Sequence, residues 1–309
     1  MEKHELIIIG GGPAGLTAAI YAGRSRLDTL LIEKAAVGGR ILMSEMIENY
    51  PGFPGGVSTL ELMGRMENQV KELGVKIVSE EVLGLDPAAL KVNTGAGVYA
   101  AEAIILASGA RPRKLNVPGE TQYTGRGVSY CATCDAPFFK GKTVVIVGGG
   151  DAMAEEALYL SRFAASVSLV HRRSELRASP ILQERIRQDK KIHFILNSVV
   201  SRINGNIKVE SVTLKDLLSG NERDFSCDGI FVYIGQEPET GYLKGKIDLD
   251  EAGFIRAGEN MSTSAAGIFA CGDCRKKGFY QVVNACGDGA VAADAAYKYV
   301  TGTVKNGVK

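Results

Sequence analysis

"ELIIIGGGPAGLTAAIYAGR", residues 5–24, decides how the rest of the chain is read. Leu6 to Ile9 form an unbroken apolar run, the signature of a buried strand. A glycine turn follows from Gly10 to Gly15, with a helix starting at about Pro13. The spacing Gly10, Gly12, Gly15 supplies a tight turn, a close approach of backbone to a pyrophosphate, and close packing of helix on strand. A single glycine triplet is a weak signal. The next strand, "DTLLIE", strengthens it by ending in Glu33, eighteen residues past Gly15 and near the interval at which a carboxylate meets a ribose hydroxyl.

The same pattern returns at "KTVVIVGGGDAMAEEALYLSRFAASVSLVHRR", residues 142–173. A strand leads into Gly148–Gly150, then a helix opening on Asp151 and Ala152, with Ala157, Leu158 and Ser161 on its packing face. This second copy ends its next strand in His171, Arg172 and Arg173, with Arg177 one turn on. A basic cluster there suits a ribose bearing a 2′-phosphate, which an acid would repel. One site therefore wants the bare ribose of an FAD adenosine and the other the phosphorylated ribose of NADPH.

With 309 residues the chain exceeds one ordinary hydrophobic core, so two domains are expected, and 45% hydrophobic residues are enough to fill them. The 38 glycines against nine prolines fit many tight strand-to-helix turns. A net charge of +1 points to neither a nucleic-acid partner nor a membrane surface. "MEKHELIIIGGG" reaches glycine after only four apolar residues, too few for a signal peptide or a spanning helix, so a cytoplasmic location is expected. In that compartment six cysteines argue against a disulfide scaffold.

Two further apolar strands, "AEAIILASGARPR" (101–113) and "AAGIFACGD" (265–273), end in small residues, as strands do whose carboxyl ends face a ligand. "LNVPGE" (115–120) and "GQEPETGYLKG" (235–245) have the Pro and Gly content of linkers. The expected architecture is α/β, with two Rossmann-like dinucleotide-binding domains, the second inserted into the first. Residues 1–115 with 246–309 form a discontinuous FAD domain, and 116–245 an NAD(P)H domain.

That inserted domain carries "SYCATCDAPFF", residues 129–139. Cys131 and Cys134 at this spacing fit a metal clip, a structural crosslink or an electron-transfer pair, and the motif alone does not choose. The flanking sequence does. "GGGPAG", "ENYPGFPGG" (48–56), "ASGARPR", "CATCD", "HRRSELR" (171–177), "FVYIGQEP" (231–238), "GIFACGD" and "QVVNACGDGAVAA" (281–293) together resemble the low-molecular-weight thioredoxin reductases. These are flavoproteins of the pyridine nucleotide disulfide oxidoreductase group, and the likeness covers almost the whole chain.

The resemblance implies an NADPH-dependent reductase of thioredoxin or a thioredoxin-like protein, acting as a homodimer. Cys134 is implied to be the sulfur nearest the flavin, Cys131 the one that attacks a partner disulfide, and Asp135 a proton donor and acceptor. Two residues between the cysteines let a turn entering a helix bring the sulfurs together, and a helix amino terminus favours the thiolate. For FAD the implied contacts in the amino-terminal part are Gly10, Gly12, Pro13, Ala14, Gly15, Glu33, Lys34, Gly39 and Asn49. Ala107, Gly109, Asp273, Gln281 and Val282 complete them, Asp273 toward the ribityl chain and Gln281 and Val282 toward the ring. For NADPH they are Gly148, Gly150, Asp151, Ala152, His171, Arg172, Arg173, Arg177, Ile234 and Gly235. The family also rotates its inserted domain about the linkers.

Four positions depart from the family pattern. Ala152 and Met153 stand where Ser and Ala are usual, so a hydroxyl that could touch the nucleotide is lost and a bulky side chain stands where close packing favours alanine. Tyr280 replaces a frequent Arg, and Arg40 a frequent Gln. Met153 and Tyr280 motivate one alternative, the same flavin and dithiol chemistry with NADH or a ferredoxin as donor, and the surplus of cysteines motivates another, a non-catalytic flavin or zinc redox sensor. Cys271 and Cys274 form a second two-residue spacing, but they bracket Asp273, and with Cys227 and Cys286 they read as buried inert thiols rather than zinc ligands. His4, His171 and His193 add no ligand spacing to them.

Overall fold

A computed structural model of the chain describes residues 2–43, 46, 47 and 49–302, apart from the side chains of Met43, Thr133 and Cys134. The chain divides into two units, Met1–Arg111 with Glu237–Lys309, and Pro112–Gln236.

In the first unit the apolar run of the opening stretch is the strand Glu2–Ile9, central in a seven-stranded sheet. It pairs in parallel with Thr29–Glu33 on one side and Val98–Leu106 on the other, Leu6 standing opposite both Thr29 and Ala103. Lys76–Ser79 and Ile268–Ala270 extend the parallel part, and Lys91–Thr94 and Val82–Asp86 add an antiparallel edge. Side-chain alternation explains the unbroken hydrophobicity. Leu6 and Ile8 pack into one core with the helix Pro13–Arg24, while Ile7 and Ile9 fill the opposite core with Leu243, Ile247 and Ile255. The helix Val282–Val300 closes the first core against Pro13–Arg24. That contact depends on small residues, since a Cβ at Gly289 would lie 2.2 Å from the carbonyl oxygen of Ala14.

The second unit repeats the plan with five parallel strands in the order Val128–Ser129, Gly229–Tyr233, Thr143–Gly148, Ser166–Val170, Ile192–Ile195. Val144 and Ile146 face the helices Asp151–Ser161 and Pro180–Gln188. Val145 and Val147 face an antiparallel sheet of Ser198–Gly205, Val209–Asp216 and Glu222–Ser226. The architecture is thus two Rossmann-like α/β units, the second inserted in the first.

The chain passes between units at 111/112 and 236/237, a few residues earlier than the Pro and Gly content suggests at 115/116 and 245/246. "LNVPGE" is bound into the second unit. Leu115 N and Asn116 N donate to the buried Glu120 carboxylate at 2.8 and 2.6 Å, and Ile203 N donates to Pro118 O at 2.9 Å. Most of "GQEPETGYLKG" belongs to the first unit, where Glu239 N donates to Gly109 O at 3.0 Å and Thr240 Oγ1 to Gly253 O at 2.7 Å. Among the described residues no helix is long and apolar enough to cross a membrane.

Candidate functional site

In the first unit the glycine turn is built by backbone crowding. Gly10 has φ +107, and a Cβ there would stand 2.3 Å from the Ala107 carbonyl oxygen. A Cβ at Gly15 would stand 1.8 Å from Gly10 O, so Pro13–Arg24 can press onto its strand only with glycine at that position. Gly12, the N-cap, brings no side-chain cap, and a Cβ there would meet nothing nearer than Gly38 O at 3.8 Å. Pro13 follows as the first helical residue and Ala14 is buried behind it. The helix therefore ends in backbone N–H groups and space, which is what a diphosphate needs.

Glu33 lies where the sequence puts it, at the end of Thr29–Glu33, and it also braces the turn. Its Oε2 accepts from Gly11 N at 2.6 Å and its Oε1 from Ala35 N at 2.9 Å. An ionised carboxylate has lone pairs to spare for ribose hydroxyls. A cavity of about 200 Å³ opens beside it, lined among others by Gly10, Glu33, Lys34, Glu80 and Val82. Sequence reading missed the Glu80–Val82 wall, whose only signal is the strand Lys76–Ser79 pairing beside Glu33. Lys34 itself is exposed, and Gly39 (φ +66) sits against Gly12 Cα.

The remaining expected contacts of this unit converge from distant segments. Asn49 Nδ2 donates to Gln281 Oε1 at 3.1 Å across 232 residues of sequence. Gln281 is the extended N-cap of Val282–Val300, so Val282 begins that helix. Ala107 N donates to Ile9 O at 2.8 Å, and Gly109 has φ +70. Asp273 Oδ1 is buried 3.1 Å from Lys277 Nζ, an ion pair not aligned as a hydrogen bond, so this oxygen still lacks a donor. Glycine-made space, uncapped helix N–H groups and an acceptor without a donor all fit a flavin dinucleotide.

In the second unit the turn is lined differently. A Cβ at Gly148 would meet Tyr233 O at 2.5 Å, and one at Gly149 would overlap the His171 ring at 2.2 Å, whereas one at Gly150 would find nothing within 4 Å. Again the N-cap, Gly150, has no side-chain cap. The segment after His171 folds over the turn, with Arg177 N and Ala178 N both donating to Gly149 O, at 2.6 and 3.0 Å. This brings the exposed Arg177 to the turn, with Arg172 and Arg173 also exposed nearby in sequence. Ile234 is half-buried and Gly235 has φ +121.

Several expectations change here. His171 is not part of the exposed basic rim: it is 6% exposed, its ring packs on Gly149, and burial holds its pKa below the usual imidazole value. Asp151 Oδ1 accepts from Ser179 N at 2.6 Å, which ties the helix to the next one. Met153 packs beneath the nucleotide turn: its side chain is fully buried in the core with Val144 and Ile146, and its Cβ and Cγ would each lie 2.9 Å from a Cβ placed on Gly148. Ala152, beside it, is exposed.

Cys131 is buried and disulfide-bonded; the Cys134 side chain lies outside the described residues. The helix it enters, Ala132–Asp135, is a single turn, too short to exert much of a dipole. Its geometry is fixed by neighbours that sequence reading missed. Ser129 Oγ accepts from Cys131 N and donates to Cys131 O, both at 3.1 Å, and Ala132 N donates to Tyr233 OH at 2.8 Å. Ala132 and Ala136 anchor the turn in the core, while Asp135 is half-buried.

The other four cysteines are free and buried. Burial raises the Cys274 thiol to about 11, Cys227 to about 12 and Cys271 well above its ordinary value. Cys286 Sγ stands 3.8 Å from both Tyr50 OH and Pro13 O, and burial with this neighbour raises the Tyr50 phenol to about 12. Among the described residues no three His, Cys, Asp or Glu side chains gather as metal ligands.

The sequence profile described as pyridine nucleotide-disulphide oxidoreductase matches residues 4–289, and the chain belongs to that family. Within it the chain stands among the thioredoxin reductases. It is 45% identical over 305 residues to the thioredoxin reductase of Peptoclostridium acidaminophilum, covering 96% of this chain and 97% of that one. It is 44% identical over 300 residues to that of Bacillus subtilis, covering 96% and 95%. The crystal structure of Lactococcus lactis thioredoxin reductase superposes with a TM-score of 0.94 at 43% identity, covering 97% and 99%. Membership implies a flavin and a pyridine nucleotide.

Proposed function

We propose that this thioredoxin reductase takes its electrons from NADPH, holds FAD in the first unit, and passes the electrons through Cys131 and Cys134 to an oxidised thioredoxin-like protein. The observation that carries the reading is that the disulfide-bonded Cys131 belongs to the same unit as a glycine turn overlain by Arg177 and flanked by Arg172 and Arg173. When bound, the flavin supplies two-electron exchange with both a nicotinamide and a dithiol. The chain supplies the rest. Gly12 and the first turn of Pro13–Arg24 receive the diphosphate, Glu33 the ribose, and Asp273 a hydroxyl of the ribityl chain. Asn49 and Gln281 hold each other at the ring. Gly150 gives the nucleotide's diphosphate room, and the arginines take the 2′-phosphate as a charge-assisted contact.

In the exchange step the Cys131–Cys134 bond opens, taking up two electrons and giving a thiolate and a thiol, with Asp135 positioned to hold the proton. Cys131 then attacks the partner's disulfide, and closing the ring again releases the partner as a dithiol. The net change is NADPH, a proton and an oxidised partner giving NADP⁺ and a reduced partner.

A cytoplasmic homodimer accords with the four free thiols and with exposed Tyr21, Val291 and Tyr297 on two packed helices. NADH or ferredoxin as donor loses part of its motive, since Met153 is a core residue.

The test is an absorbance spectrum of the purified protein, then anaerobic stopped-flow reduction by NADPH and NADH. The reading expects a flavin spectrum, faster bleaching by NADPH, and a Cys134→Ser variant that keeps FAD but no longer reduces a thioredoxin. A colourless protein, or one bleached much faster by NADH, sinks it.

A further inference from the structure

Four charged side chains of the first unit form one chain of ion pairs with no local signal in the sequence. Asp288, on the helix Val282–Val300, is 4% exposed and is gripped by Arg275 through Nη2–Oδ1 at 2.7 Å and Nε–Oδ2 at 2.9 Å. Gly272 N adds a third bond to it at 3.2 Å. Lys277, also 4% exposed, puts its Nζ 3.3 Å from Asp288 Oδ2 and 3.1 Å from Asp273 Oδ1. The same ammonium lies 5.4 Å from the centroid of the Tyr280 ring.

Burying an ammonium is unfavourable unless it is well partnered, and a buried pair broken on one side is strongly destabilising. The Arg275–Asp288 fork already closes the structural need, because it is bidentate and carries no net charge. Lys277 reaches past it. One arm ends on Asp273, whose buried oxygen lacks an aligned donor, and its cation–π face ends on Tyr280, the residue before the Gln281 that bonds Asn49. A single buried cation thus touches both stretches assigned to the flavin.

We propose that Lys277 is a positioning residue of the flavin site: it aims Asp273 and Tyr280 and supplies the positive charge that offsets an anionic dinucleotide and an electron-rich reduced ring. The inference rests on the reading of Asp273 and Gln281 as flavin contacts. Removing the charge leaves the cluster with one uncompensated carboxylate facing the site, so binding and reduction both become less favourable.

The experiment compares Lys277→Met, Lys277→Arg and Asp273→Asn by FAD affinity, from fluorescence titration of apoprotein, and by flavin midpoint potential against reference dyes. Lys277→Met is expected to weaken FAD roughly 10- to 100-fold, the weight of one charge-assisted bond, and to lower the potential. Lys277→Arg is expected to recover most of both. Lys277→Met with unchanged affinity and potential overturns the proposal if Asp273→Asn does weaken FAD. Equal losses in Met and Arg variants, tracking melting temperature alone, overturn it in favour of a purely structural role. If Asp273→Asn has no effect, the underlying reading falls and the proposal with it. Should Lys277→Met not fold, Lys277→Gln, which keeps a donor and removes the charge, is held to the same outcomes.

Discussion

Replacing Tyr233 by Phe removes one oxygen and leaves the ring. Its hydroxyl accepts the Ala132 N–H at 2.8 Å, and Ala132 has no exposed surface through which water could take over. An amide N–H left without its acceptor costs about 1–3 kcal/mol. The bond exists in the form in which Cys131 is disulfide-bonded. Its loss therefore falls on the oxidised protein, and the dithiol becomes relatively easier to form. At about 30 mV per 1.4 kcal/mol for a two-electron couple, the dithiol potential should rise by roughly 20–60 mV. Equilibration with glutathione buffers, followed by acid quench and mass-tagging of free thiols, measures it directly. A potential unchanged from the parent, together with a lower melting temperature, refutes the reasoning, because it means the bond is equally present in both redox states.

Gly15→Ala places a Cβ 1.8 Å from Gly10 O, so the protein should purify depleted in flavin, with melting several degrees lower. At the second turn, Gly149→Ala drives a methyl into the buried His171 ring and should destabilise the protein. Gly150→Ala, with φ −106 and open space, should leave melting unchanged while raising the NADPH KM. Changing Arg172, Arg173 and Arg177 together to Ala should raise the NADPH KM at least tenfold and leave NADH kinetics nearly alone, since charge-assisted phosphate bonds are worth about 1.5–3 kcal/mol each. Cys274 has a folded pKa of about 11 against an ordinary 9.0, so the native state holds its proton longer. That stability is intact below pH 9 and is lost as pH climbs toward 11, by roughly 2–3 kcal/mol. Denaturant midpoints across pH 8–11 should show the fall, to which the buried Cys227 and Cys271 thiols add, and Cys274→Ala should lessen it without abolishing it.

What the sequence made legible was whatever depends on neighbours along the chain. Runs such as Leu6–Ile9 and Val144–Val147 had to be strands covered on both faces, and the glycine spacings had to be turns entering helices. Contacts closed by the fold itself left no local trace. Tyr233 lies 101 residues from the Ala132 it supports. Nothing near Asp288 in sequence announces Arg275 and Lys277, which reach it from an irregular segment outside its helix. His171 misled because it adjoins three arginines in sequence, while strand alternation turns its ring inward. The boundary misled for a related reason: Pro118 and Gly119 look like linker, yet Gly119 has φ +90 and stands where a Cβ would lie 2.1 Å from Ile203 O, as a packed turn requires.

The two glycine turns share their first joint and differ at their third. Gly10 lies under the carbonyl of Ala107, and Gly148 lies under that of Tyr233, each at a distance no Cβ could occupy. Three residues past Gly12 and Gly150, however, one chain segment has Gly15 and the other Met153. Since a Cβ at Gly15 would collide with Gly10 O, a helix that does carry a Cβ there must stand farther off its turn, and Met153 fills the gap from the core side. The first turn is therefore held by backbone at Gly10 and Gly15, with Gly289 pressing Ala14 from behind and the Glu33 carboxylate bracing Gly11, and its backbone contacts cannot relax by rotamer change. The second shares the backbone contact at its first glycine but adds side chains, the His171 ring against Gly149 and the Met153 Cβ and Cγ against Gly148, which can adjust. A rigid backbone seat suits a cofactor that stays through every turnover, and a side-chain-lined seat suits a nucleotide that must arrive and leave in each one.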